Sequence, residues 1–209
     1  MSSDHAPFLV VLSSPSGAGK TSICREVVRR DRKVAYSVSA TTRPRRKGEA
    51  HGRSYWFYTD KRFKDLVRRN GLIEHAVVYD HYYGTPRARV TEQFRRGRDV
   101  IADLDIQGMR QCKQSLPGTV AIFVNAPSRT VLARRLRRRG TDSDRVIARR
   151  EAELKSELAA IPEFDYLVVN DRLESAVDRV LAIIKAERLR THRLRKGRGR
   201  AARHRRKTG

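Results

Sequence analysis

Apolar residues along this chain fall into short runs, well separated from one another. FLVVLS (8–13), VAYSVSA (34–40), DVIADLD (99–105), TVAIFVN (119–125) and FDYLVVN (164–170) have the length and β-branched content of buried strands. Between them the period changes. Cys24, Val27 and Val28 share one face of a helix over about 20–30, which places Cys24 in a core. Val177, Val180, Leu181 and Ile184 follow the spacing i, i+3, i+4, i+7 and mark a final helix. Strand alternating with helix predicts an α/β fold, with a mostly parallel sheet flanked by helices on both faces. The stretch 42–85 departs from this rhythm. It is rich in Arg, Tyr and Gly, with short strands expected around YWFY (55–58) and LIEHAVVY (72–79), and reads as a small inserted lobe.

Composition narrows the class. A chain of 209 residues fits one domain, with or without a small insertion. The longest apolar runs, Phe8–Leu12 and Val120–Val124, fall far short of the roughly 20 residues that a spanning helix needs. The opening MSSDHAPFLVVLSS has no basic region ahead of its short apolar segment, so no signal peptide is expected. Cys24 and Cys112 are too few for a disulfide framework or a metal knuckle. A cytoplasmic protein without a membrane span is expected.

Charge adds a second region. Lys+Arg number 47 against 23 Asp+Glu, for a net charge of +24. Residues 188–209 hold 11 of those cations and no acid. Beyond Leu189 too little apolar surface remains to offset ordering entropy, so 191–209 is expected to be a disordered basic tail. Such a tail suits nonspecific contact with nucleic acid or an anionic surface through counterion release. No aromatic residue follows Tyr166, so the tail has no platform for stacking bases. The sequence leaves the oligomeric state open.

Chemistry enters at the first strand–helix turn, Ser14-Pro15-Ser16-Gly17-Ala18-Gly19-Lys20-Thr21. Glycines there let successive backbone N–H groups converge on phosphate oxygens, and the helix N-terminus adds its positive dipole end. Lys20 would reach the β- and γ-phosphates, and the Thr21 hydroxyl would ligate Mg²⁺. Ser14 stands where the usual P-loop pattern begins with Gly. A nucleoside triphosphate site is expected.

Four further cations crowd into Arg43-Pro44-Arg45-Arg46-Lys47. Helical spacing is impossible around Pro44, so they belong to a loop, where an arginine pair can grip a phosphate. Tyr55 and Tyr83 follow with hydroxyls that complete such a grip. Asp103 and Asp105 alternate with Leu104 and so share one face at the carboxyl end of a strand, where ligands of open α/β sheets bind. Asp105 also suits the cap of the next helix. His75 and His81 lack metal-ligand spacing, and Trp56 is expected to pack within the lobe.

Taken together, these segments resemble the guanylate kinase family. S-x-TTR-x-x-R-x-GE-x-x-G-x-x-Y (39–55), YYGT (82–85), D-L-D-x-QG (103–108) and RGTD (139–142) are similar to its motifs, in order and at its spacing, over about residues 8–187. The resemblance implies transfer of the γ-phosphoryl group of ATP to GMP, with Mg²⁺. It implies a phosphate site for GMP made of Ser39, Arg43, Arg46, Tyr55 and Tyr83, and guanine contacts from Glu74 and Thr85 with Asp105 assisting. One carboxylate can accept the adjacent N1–H and N2–H donors of guanine, whereas adenine presents a lone pair there. The resemblance also puts Asp103 near Mg²⁺, directly or through water, Asn170 near adenine, and Arg135, Arg139 and Arg150 on a lid. The expected layout is a domain over 1–190, with a core of 8–40, 86–133 and 160–190, a GMP-binding lobe of 41–85 and a lid of 134–159; the tail follows. Three other readings carry less. A catalytically silent binding module is opposed by Lys20 and Thr21, a kinase for another small phosphorylated acceptor by Glu74, Thr85 and Asp105, and a dedicated nucleic-acid binder by the tail's lack of aromatics.

Overall fold

The computed structural model describes residues 5–15, 17–128, 130–132 and 154–194. Five strands form a parallel sheet: β1 (Leu9–Ser13), β2 (Val34–Tyr36), β7 (Asp99–Asp103), β8 (Val120–Asn125) and β9 (Tyr166–Val169), in the order β2-β7-β1-β8-β9. β1 is central and buried throughout, as its unbroken apolar run requires. Its alternate residues feed two cores. Val10 and Leu12 pack with Ile23 and Val27 of α1 (Lys20–Arg30) and with Val177 and Val180 of the C-terminal helix α5 (Leu173–Arg188). Leu9 and Val11 pack on the opposite face with Val90 of α3 (Arg87–Arg95) and with Met109 and Cys112 of α4 (Ile106–Ser115). Cys24 is buried in the first of these cores, as its helical face predicts.

A second sheet holds β3 (Ala40–Thr41), β4 (Trp56–Phe57), β5 (Leu72–Val78) and β6 (His81–Pro86), in the order β4-β3-β6-β5. β3 and β4 run parallel, while β6 is antiparallel to both β3 and β5. The helix α2 (Asp60–Arg68), capped by the Thr59 hydroxyl, buries Phe63 against Ala40 and Leu72 to give this lobe its own small core. Burying a side chain of that size contributes about 2–3 kcal/mol.

Two expectations change here. The strand expected over 34–40 is two strands in different sheets. Ser37 still donates its N–H to the Ile101 carbonyl at 2.8 Å, after which the chain leaves the parallel sheet and Ala40 pairs with Gly84 and Trp56. Apolar and small residues alternate smoothly through the crossing, so the pattern carries no sign of the break.

Order also continues past the boundary expected at 191. Thr191–Arg193 form a 3₁₀ turn, Ala6 donates its N–H to the Arg193 carbonyl at 2.7 Å, and His5 and Leu194 pair as an antiparallel bridge. The cause is charge rather than apolar surface. Glu187, only 2% exposed, receives Tyr166 Oη at 2.6 Å, Arg190 at 3.2 Å and Arg193 at 3.1 Å. Arg193 also lies 4.1 Å above the Phe8 ring and donates to the Gly118 carbonyl at 2.9 Å. Residues 195–209 of the expected tail lie outside the described residues, as do 134–153 of the expected lid. No helix among the described residues is long and apolar enough to cross a membrane.

Candidate active site

The turn after β1 is built around backbone conformations that a side chain would strain. Gly17 and Gly19 have φ of 87° and 93°, and a Cβ on Gly19 would stand 2.6 Å from Asn170 Nδ2. Ile23 N–H bonds the Gly19 carbonyl, so α1 starts here with its first N–H groups free to meet an anion. Asn170, buried just beyond β9, donates Nδ2 to the Ala18 carbonyl at 2.7 Å and so braces the loop from behind. Ser14 is buried, with its hydroxyl donating to the Pro15 carbonyl at 3.0 Å, so the position admits a small side chain. Ser16 lies outside the described residues.

At the mouth of this loop the first turn of α1 meets the end of β7. Thr21 Oγ1 donates to one Asp103 carboxylate oxygen, and Tyr36 Oη donates to the other. Burial, with the Asp103 charge next, pushes the Tyr36 phenol well above its ordinary range, so it stays a donor. Sequence reasoning gave Tyr36 no role. The available signal was its place at the carboxyl end of a parallel strand beside β7.

The cationic loop is organised by Glu49, another residue quoted in a motif without a role. Arg43 donates to Glu49 Oε1 at 2.6 Å and to the Pro44 carbonyl at 2.7 Å, while Arg46 N–H donates to Glu49 Oε2 at 2.8 Å. Glu49 thus folds the loop on itself. The Arg43 guanidinium also sits 5.5 Å from the centre of the Tyr55 ring, and Tyr55 meets Tyr83 edge-on at 5.9 Å. Its bond to Glu49, ahead of that to Tyr83, raises the Arg43 pKa further, so it remains a cation. Arg45, Arg46 and Lys47 are exposed.

Glu74 and Thr85 form a second, buried group, with the exposed Asp105 beside it at the N-terminus of α4. Thr85 Oγ1 donates to Glu74 Oε1 at 2.7 Å. Burial pushes the Glu74 carboxyl up to about 7, with Asp105 adding to the rise and the Thr85 bond opposing it. Asp105 caps α4 by accepting the Gly108 N–H at 2.7 Å, the capping role that its position suited.

A cleft of about 780 Å³ lies between the end of β7 and the cationic loop: Thr21, Arg25, Tyr36 and Asp103 line its core side, and Ser39, Glu49, Arg53 and Tyr55 its lobe side. Glu74, Thr85 and Asp105 are not among its lining residues. Arg25 and Arg53 are additional cations that no motif singled out. Arg135, Arg139 and Arg150 lie outside the described residues. Trp56 packs as expected, with the Arg89 guanidinium 4.0 Å above its ring. Among the described residues no group of three or more His, Cys, Asp or Glu is placed to hold a metal.

The geometry has close relatives among known proteins. The family model for guanylate kinase matches residues 7–187. A guanylate kinase of Carboxydothermus hydrogenoformans is 43% identical over 190 residues, covering 91% of this chain and 93% of that one. One from Paramagnetospirillum magneticum is 47% identical over 187 residues, covering 89% and 87%. The crystal structure of guanylate kinase from Anaplasma phagocytophilum superposes with a TM-score of 0.71 at 30% identity, covering 91% of this chain and 90% of that one. From β1 to its C-terminal helix, this chain belongs to the guanylate kinase family.

Proposed function

We propose that the chain transfers the γ-phosphoryl group of ATP reversibly to GMP, giving ADP and GDP. The observation that carries this reading is the cleft in which Thr21 and Asp103 face Ser39, Glu49 and Tyr55. A donor triphosphate on the cradle and an acceptor phosphate on the lobe would then meet end to end.

The acceptor phosphate is ionised near neutral pH, so the transfer needs no general base. The work is positioning and charge neutralisation. Lys20 and the N–H groups of the loop hold the donor phosphates. Arg43, aimed by Glu49, holds the acceptor phosphate with Arg46, Ser39, Tyr55 and Tyr83. Glu74 and Thr85 read guanine, with Asp105 adjacent. Arg135, Arg139 and Arg150 would add cations as the site closes, offsetting repulsion between two polyanions and excluding the water that would otherwise hydrolyse ATP. Asn170 serves the adenine side through the loop it braces.

Mg²⁺ fits the residues present. The Thr21 hydroxyl and the Asp103 carboxylate are hard oxygen donors already in contact, and Mg²⁺ commonly takes one or two protein oxygens, the rest coming from phosphates and water. Bound there with ATP, it would neutralise charge on the β- and γ-phosphate oxygens.

The test is ADP release from MgATP with GMP, AMP, CMP or UMP as acceptor. Release with GMP alone is expected. Silence with all four from folded, ATP-binding protein would reject the reading, and release with AMP equal to that with GMP would reject the role of Glu74.

A further inference from the structure

β5 breaks the alternation that a half-buried strand should show. Leu72, Ile73 and Glu74 are buried one after another, and only from His75 does exposure return. The register explains this. Leu72 faces Pro86 while His75 faces Gly84, so three steps along β5 oppose two along β6. One extra residue is inserted at Ile73–Glu74, a β-bulge, and bulges next to active sites re-aim a side chain.

A bulge on an edge strand leaves backbone groups without ladder partners, and β5 is the edge of its sheet. Here α4 supplies the partners with side chains. Gln111 grips His75 from both ends of its amide: Oε1 accepts the His75 N–H at 3.0 Å and Nε2 donates to the His75 carbonyl at 3.0 Å. Ser115 Oγ lies 2.5 Å from the Ile73 carbonyl and 2.8 Å from the Gln111 carbonyl, sharing its one proton between them. Across the sheet, Gly84 leaves the room the bulge needs, since a Cβ there would stand 2.7 Å from the Glu74 carbonyl oxygen. Glu74 is therefore held on both flanks, at residues 73 and 75, by one helix.

We propose that Gln111 and Ser115 are specificity-positioning residues: they fix the bulge that points Glu74 at the base of the acceptor nucleotide. The inference rests on the reading of Glu74 as the guanine-reading group. Its physical content is register. A slip of one residue along β5 would exchange the Glu74 carboxylate for an isoleucine or an imidazole. The clasp prevents that slip without touching substrate.

The experiment compares GMP with IMP, which lacks the 2-amino donor, in full-length protein carrying Gln111→Met, Ser115→Ala, Ser115→Thr or Glu74→Gln. Gln111→Met keeps length and loses both hydrogen bonds. For it and for Ser115→Ala we expect a GMP-over-IMP preference about tenfold lower and a KM for GMP about tenfold higher, with the KM for ATP unchanged. Ser115→Thr keeps the hydroxyl and the preference. A merely structural role would instead lower the melting temperature and weaken both substrates together. Should Gln111→Met fail to fold, the Ser115 pair reads the same quantity. Wild-type preference retained in Gln111→Met and Ser115→Ala, with Glu74→Gln having lost it, overturns the positioning role alone. Preference retained in Glu74→Gln overturns the guanine reading and this inference with it.

Discussion

Glu74 is a carboxyl group whose burial favours the protonated form. Its pKa in the folded chain is about 7, set first by burial, against an ordinary value of 4.5. Folding thus favours the neutral form. This group's contribution to stability is complete below about 4.5 and is lost as pH rises through about 7. On the proposed function guanine would reverse the preference, because two N–H donors satisfy a carboxylate and not a carboxylic acid. The KM for GMP should therefore fall as pH rises from 6 to 8, and denaturant titrations should show stability declining over the window from 4.5 to 7. Glu74→Gln should flatten both profiles, and a wild-type KM independent of pH would contradict the assignment. Glu74 itself was legible in sequence, since its strand, the YYGT turn and the family pattern converge on it. Tyr36 and Glu49 were not. Each acts through another side chain, Asp103 or Arg43, and spacing along a chain says nothing about a partner reached across the fold.

Elements were legible where burial is uniform. β1, β7 and β8 lie close to the apolar runs that predict them, because a strand covered on both faces must be apolar throughout. β9 also falls within its run, although at the sheet edge Leu167 and Val169 are exposed. The lobe was harder to read. Its strands β3 and β4 have two residues each, too short for any period, and the split of 34–40 between two sheets follows from hydrogen bonds that Ser37 and Ala40 make with distant residues. The cationic loop is an element of the same kind. Its shape comes from one acid among five neighbouring basic or turn residues, Glu49, which receives both the Arg43 side chain and the Arg46 backbone. Replacing Glu49 by Ala should free the loop and raise the KM for GMP on the order of tenfold, the equivalent of one charge-assisted hydrogen bond. The KM for ATP should stay as it was. Steady-state kinetics with each substrate varied in turn separates the two, and equal losses for both would place Glu49 in general folding instead.

At the scale of the whole molecule, charge closes what apolar surface begins. Burial alone would raise the Glu187 carboxyl, but bonds from Tyr166, Arg190 and Arg193 bring it below its ordinary value, so the clamp is intact at neutral pH and weakens as pH falls through that lowered value. Arg188 makes a parallel tie, donating to Asp99 at 2.7 Å and to Asp31 at 2.8 Å. Arg193→Ala should lower stability by about 2–4 kcal/mol, because it leaves a buried carboxylate short of its main cation. Replacing Glu187 and Arg193 together by Met should cost less than either single change, as burying two apolar side chains avoids the unpaired charge. Denaturant melts of the three variants decide this, and additive losses would mean that the pair is not coupled. Because these groups sit where β7 and β8 begin, at the end of the sheet opposite the Gly17–Thr21 turn, kcat at 25 °C should not change.

The bridge between His5 and Leu194 has a topological corollary. Antiparallel bridge partners stand about 5 Å apart, a gap that a hairpin-sized peptide can cross. Positions 5 and 194 are thus neighbours in space, and joining them by a short peptide while opening the chain at an exposed loop should leave the sheet and lobe folded.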